Sequence, residues 1–108
     1  MNPSRKKKSV PPPGRGALSP SEAAQRAAEV PKWRLSRRPA RLSRRFKFRD
    51  FKAAMKFVNR VAACAEKEEH HPDFQIHWNR VELVLWTHDQ GGLSEKDFRM
   101  AAKISRLA

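Results

Sequence analysis

Apolar positions along this chain follow two different periods. Between Phe51 and Ala65 they recur at intervals of three and four, through Phe51, Ala54, Met55, Val58, Val61, Ala62 and Ala65. That spacing makes one stripe on a helix, and Lys52, Lys56, Arg60 and Lys67 lie off it. Asp50 is suited to cap the first turn, so the pattern predicts a helix from about Phe51 to Glu69, lying across a sheet. On either side the period is two. Leu42, Arg44, Phe46 and Phe48 share one face of a strand, and Ser43, Arg45 and Lys47 share the other. From Phe74 to His88 the chain again reads as extended. Val81, Leu83 and Leu85 point one way, and Arg80, Glu82, Val84, Trp86 and His88 the other. Asn79 marks a bulge in this run or a break into two strands.

Punctuating residues place the remaining elements. Ser19-Pro20-Ser21-Glu22 is a capping box with proline at the first helical position, opening a short alanine-rich helix that must end before Pro31. Trp33 and Leu35 suggest a short strand, and Arg37-Arg38-Pro39 a basic turn. Pro72 stops the long helix, and Gly91-Gly92 forces a turn. Ser94 then caps a last helix with Phe98, Ala101, Ile104 and Leu107 on its core side. The order is α-β-β-α-β-β-α, an α+β fold, and one antiparallel sheet with helices on one face buries these stripes most simply. The second sheet face, with Val84 and Trp86, then needs solvent or a subunit contact.

At 108 residues the chain allows one small domain and no deep chamber, so chemistry belongs in a cleft or at a subunit boundary. The net charge of +13 is unevenly placed. Residues 1–49 hold fifteen Lys/Arg and two acids, whereas residues 50–108 hold nine of each. Residues 1–17 join Arg5-Lys6-Lys7-Lys8 to Pro11-Pro12-Pro13-Gly14 and read as a basic, disordered tail, leaving 18–108 as the domain. Weak polyanion binding through the basic N-terminal half is an expected side property. Cys64, the only cysteine, sits in the helical pattern as a small hydrophobe and excludes an intrachain disulfide, which fits a reducing compartment. There is no apolar run of the roughly 20 residues that a membrane helix needs, and no signal-like N-terminus, so the expected location is cytoplasmic.

The chemistry concentrates in three places: Glu68-Glu69-His70-His71-Pro72, Thr87-His88, and Ser94-Glu95-Lys96-Asp97. These fall where a helix end, a strand end and a helix start can converge. Clustered imidazoles suit proton transfer or metal binding, because histidine titrates near neutrality. Each has a plainer account. A histidine at a helix C-terminus interacts well with the helix dipole, His88 fits an exposed loop, and Asp97 fits the third position of a capping box. A zinc site is disfavoured because adjacent histidines diverge, His77 and His88 have opposite strand parity, and no HxxxH or CxxC pair exists. Neither a nucleophile elbow nor a phosphate loop is present. General acid–base work on a small substrate remains.

At these residues the chain resembles the pterin-4a-carbinolamine dehydratase family. The matching text is Phe46-Lys47-Phe48-Arg49-Asp50-Phe51, Ala65-Glu66-Lys67, Glu69-His70-His71-Pro72-Asp73, Trp78-Asn79-Arg80-Val81, Thr87-His88 and Gly92-Leu93-Ser94-Glu95-Lys96-Asp97. It spans about residues 18–107. The resemblance implies a four-stranded antiparallel sheet with helices on one side, a homodimer or homotetramer, and dehydration of a 4a-hydroxytetrahydropterin in tetrahydrobiopterin recycling, without metal or cofactor. It places His70, His71, His88 and Asp97 in the catalytic set, and Glu69, Pro72, Trp86, Thr87 and Asp89 around the pterin. Glu69, Trp78 and Asp89 stand where the family commonly has Asp, Tyr and Glu. Some members of the family also stabilise dimers of a transcription factor, so the alternative function is a non-enzymatic binding module.

Overall fold

Local signals set the helix boundaries. In the computed structural model, which describes residues 17–88 and 91–108, the first helix α1 spans Pro20–Ala27. The Ser19 hydroxyl accepts from the Glu22 amide at 3.2 Å, and the Ser19 amide donates to the Glu22 carboxylate at 2.9 Å. The Ser19 amide, with the Ser19 hydroxyl beside it, holds the Glu22 carboxyl below the ordinary glutamate range. Strands β1 (Arg34–Arg37) and β2 (Ala40–Lys47) follow, joined by the expected basic turn. Helix α2 runs Phe51–Glu68, and the Asp50 carboxylate accepts from the Ala53 amide at 2.8 Å. Strands β3 (Asp73–His77) and β4 (Arg80–Leu85) and helix α3 (Glu95–Leu107) complete the order α-β-β-α-β-β-α.

The four strands form one antiparallel sheet in the order β1-β2-β4-β3. The extended run from Phe74 to His88 is thus two strands, turning at Trp78-Asn79 with His77 opposite Arg80. Asn79 pins this turn to the end of β2, its side-chain amide donating to the Phe48 carbonyl at 2.9 Å and its own carbonyl accepting from the Phe48 amide at 2.8 Å. Leu42, Phe46, Val81, Leu83 and Leu85 point inward and are buried with Trp33, Val61, Phe98, Met100, Ala101 and Ile104.

Two apolar stripes differ from the sequence pattern. On α2 the buried residues are Ala54, Phe57, Val58, Val61 and Ala65, while Phe51 is 48% exposed and Ala62 is exposed. The helix carries apolar residues on both flanks of the Ala54–Val61 line. The sheet selects the Phe57 flank, because that ring meets Phe46 at 4.7 Å and Phe48 at 5.1 Å. On α3, Met100 is buried and Leu107 only half-buried. Arg44, on the core face of β2, lays its guanidinium 4.4 Å over the Phe46 ring and donates to Ser105 at 3.1 Å, with burial pushing its pKa down. No described helix is long and apolar enough to cross a membrane.

Two measurements test this account. Leu83→Ala, in the centre of the sheet, is expected to lower unfolding free energy by about 2–5 kcal/mol in denaturant titration. Because the folded-state Glu22 pKa lies below its unfolded value, its contribution is present above the unfolded pKa and is lost as pH falls through the folded one. The stability gap between the native chain and Glu22→Gln is therefore expected at neutral pH and absent in acid.

Candidate active site

The end of α2 separates the two adjacent histidines. Glu69 adopts a left-handed conformation (φ 55°, ψ 39°), and its amide turns back to the Ala65 and Glu66 carbonyls. The His70 amide bonds to the Ala65 carbonyl at 3.1 Å. This sharp exit swings His70 inward, its side chain 11% exposed, and sends His71 outward at 59%. Pro72 is buried immediately after and leads into β3. On the exposed side, His71 Nε2 meets Glu66 Oε2 at 2.5 Å, a surface pair of small energetic weight.

His70 turns toward the buried carboxylate of Asp97, with Nε2 at 2.6 Å from Oδ1. Asp97 is fully buried at the first turn of α3. Its Oδ2 accepts the Thr87 hydroxyl at 2.7 Å and the Ser94 amide at 2.9 Å. Since Thr87 spends its one hydroxyl proton on Asp97, the 2.7 Å contact between Thr87 and Ser94 must run from the Ser94 hydroxyl to Thr87 Oγ1. The dipole of α3 adds favourable potential at this carboxylate. One acid therefore joins the end of α2, the segment after β4 and the start of α3. The Lys103 ammonium fastens α3 to α2 by donating to Glu68 at 2.7 Å, which holds that carboxyl below its ordinary range.

Outside this buried link lies a second one. The Trp86 indole N–H donates to Asp73 Oδ2 at 3.0 Å, joining the start of β3 to the segment after β4. His88 stacks on Trp86 with ring centroids 3.6 Å apart, and the Arg41 guanidinium lies 3.7 Å from the same ring. Trp86 is thus partly covered by its own chain. The two links bring His70, Thr87 and Asp97 into direct contact, with His71 and His88 on the flanking segments. Glu69 is exposed at the helix cap, and His77 is exposed on β3, away from the linked residues. Asp89 lies outside the described residues. Among the described residues no group of three His, Cys, Asp or Glu side chains gathers as a metal ion would require.

Four participants escaped the sequence reading as site residues: Ser94, Arg41, Asp73 and Glu66. Ser94 was legible as a cap, but its hydroxyl contact with Thr87 needs the tertiary fold. The strand register could have suggested Arg41 beside Trp86, because Leu42 pairs with Leu85. Asp73 and Glu66 lie within the text that carries the resemblance, but nothing local to either marks it as a partner of Trp86 or His71.

Asp97→Ala would strip the Ser94 amide and the Thr87 hydroxyl of their shared acceptor. We expect it to cost about 2–3 kcal/mol in denaturant unfolding. Asp97→Asn, which keeps the shape but removes the charge, is expected to retain the fold by circular dichroism.

The chain is similar to known proteins in both sequence and fold. The family model described as pterin 4 alpha carbinolamine dehydratase matches residues 16–107. A protein of Acidobacterium capsulatum, provisionally named pterin-4-alpha-carbinolamine dehydratase, is 48% identical over 90 residues, covering 83% of this chain and 96% of that one. A Stenotrophomonas maltophilia protein of the same provisional name is 46% identical over 90 residues, covering 83% of this chain and 78% of its own. The crystal structure of a transcriptional coactivator/pterin dehydratase from Brucella melitensis superposes with a TM-score of 0.81 at 35% identity, over 85% of this chain and 98% of that one. A pterin dehydratase-like protein identified as a RuBisCO assembly factor in the alpha-carboxysome gives a TM-score of 0.62 at 28% identity, over 71% and 89%. The chain belongs to the pterin 4 alpha carbinolamine dehydratase family.

Proposed function

We propose that the protein is a hydro-lyase that dehydrates a 4a-hydroxytetrahydropterin to the quinonoid dihydropterin and water, as in tetrahydrobiopterin recycling. The observation that carries this reading is the buried Asp97 carboxylate on His70, with His71 and His88 on the segments beside it. In the reaction the C4a–O bond breaks, the N5 lone pair forms the C4a=N5 double bond, the hydroxyl leaves as water and N5 gives up its proton. Two proton transfers suffice, one to the leaving oxygen and one from N5.

Asp97 already accepts from Ser94 and Thr87, so it acts toward His70 as a third acceptor and directs the Nε2 proton to itself. His70 Nδ1 then carries the lone pair that takes the N5 proton. His71 or His88 donates to the departing hydroxyl. Glu69, Pro72, Trp86, Thr87 and Asp89 line the pterin in this reading, and Arg41 positions His88 through the Trp86 ring. The protein supplies all the proton-transfer groups, and neither metal nor cofactor enters the scheme.

A homo-oligomeric assembly accompanies this reading. It is supported by apolar surface that the core leaves uncovered, with Phe51 48% and Ile76 37% exposed. A second reading, a binding module without catalysis, draws on the coactivator and assembly-factor names of the two structural neighbours.

Dehydration followed by ultraviolet absorbance separates the two. The native protein is expected to accelerate the reaction with or without chelator. His70→Ala, His71→Ala and His88→Ala are each expected to lower kcat, by about 10²–10⁴-fold for the residue that moves a proton. No acceleration by native protein would leave the binding module. Loss of activity on chelation would restore a metal role.

A further inference from the structure

The sheet face turned away from the helices carries an unusual row of charge. Segment 34–47, which forms β1, its turn and β2, holds seven cations and no acid. Arg44 goes to the core, but Arg34, Arg41, Arg45 and Lys47 all have the parity of the outer face. Rows across the sheet follow from the register. Arg45, Glu82 and Gln75 lie side by side, and Arg45 Nε is 3.7 Å from Glu82 Oε2, so that row is balanced. In the next row Lys47 stands directly opposite Arg80, and Arg80 directly opposite His77. Like charges placed directly across an antiparallel pair destabilise it. Neither Lys47 nor Arg80 has an ion-pair partner among the described residues.

Trp78 closes this row. It is 63% exposed, and its backbone is left-handed (φ 49°), a costly conformation for a bulky side chain. Folding gains little from an indole held there. Lys47, His77, Trp78, Asn79 and Arg80 line a recess of about 440 Å³, and a second of about 450 Å³ shares Lys47, His77 and Arg80 with it and continues over Arg45, Gln75 and Glu82. The two form a trough with a cationic floor and an aromatic end.

We infer that this trough binds single-stranded nucleic acid, its phosphates on Lys47 and Arg80 and an unpaired base on Trp78. Unpaired cations attract the phosphate backbone, while an exposed aromatic ring beside them takes a base that duplex pairing would hide. An acidic protein segment would satisfy the cations but would not use the indole. The trough and the histidine-bearing site involve different residues, so this inference stands apart from the dehydratase reading.

The test is fluorescence anisotropy of the full chain with labelled 12-nucleotide single-stranded RNA, the corresponding duplex and poly-glutamate, over a range of salt. Tight, salt-dependent binding of the single strand is expected. Lys47→Glu with Arg80→Glu is expected to weaken it at least tenfold and to reduce the log–log salt slope by about 1.4, or 0.7 for each lost phosphate contact. Trp78→Ala is expected to weaken binding by about 5- to 150-fold and leave the slope unchanged. Arg80→Glu alone is expected to raise the melting temperature, by pairing with Lys47, while weakening binding; this separates lost function from lost fold. The inference is overturned if the chain does not bind RNA, or if the double variant binds like the native chain, which would assign affinity to the N-terminal residues. It also fails if poly-glutamate or duplex binds as tightly as the single strand, or if Trp78→Ala has no effect.

Discussion

A carboxylate taken wholly out of water is among the costliest groups a small protein can bury, and Asp97 is fully buried. Its cost is offset by three charge-assisted hydrogen bonds, one local from Ser94 and two from other elements, Thr87 and His70. Each donor fixes a different element. Ser94 sets the start of α3, Thr87 the segment after β4, and His70 the exit from α2. Shifting any of them by one turn or one residue would take one of its three donors from the buried charge. The arrangement of the site is therefore tied to the stability of the fold, and the ordinary capping role of Asp97 and its hold on His70 use different oxygens of one carboxylate.

The sheet divides the molecule into two environments. Its inner face supplies Leu42, Phe46, Val81, Leu83 and Leu85 to the core, and its outer face carries mainly charged and polar side chains beside Val84 and Trp86. The proposed catalytic groups gather at one end, where α2, the segment after β4 and α3 meet. The Lys47–Arg80–His77 row and Trp78 lie at the β3–β4 turn, the opposite end of the β4 strand. This separation lets the basic surface inferred to bind nucleic acid and the proposed histidine site coexist on a chain of 108 residues without sharing a side chain.

Much of the fold was legible because its signals are local. Alternation over Leu42–Phe48 and Val81–Leu85, the caps at Ser19, Asp50 and Ser94, and the break near Asn79 all act within a few residues. The resemblance in the ordered text from Phe46 to Asp97 named the family. Errors arose where two local solutions were nearly equivalent. Helix α2 presents apolar residues on either flank, and periodicity alone favoured Phe51 and Ala62 over Phe57. Contact with Phe46 and Phe48 decided otherwise, and no helix-local rule contains those rings.

By itself the sequence determined the order and type of the elements, the inward and outward parity of the strands, and the presence of imidazoles and an acid near three element ends. Those properties depend on backbone preference and on side-chain period, which a chain expresses locally. Only the tertiary structure decided which histidine meets Asp97, that Arg41 and His88 share Trp86, and that Lys47, Arg80 and His77 form one uncompensated row. Such pairings join residues up to dozens of positions apart. They depend on strand register and helix packing, whose energies are summed over the whole core and are not encoded at any one of the residues they bring together.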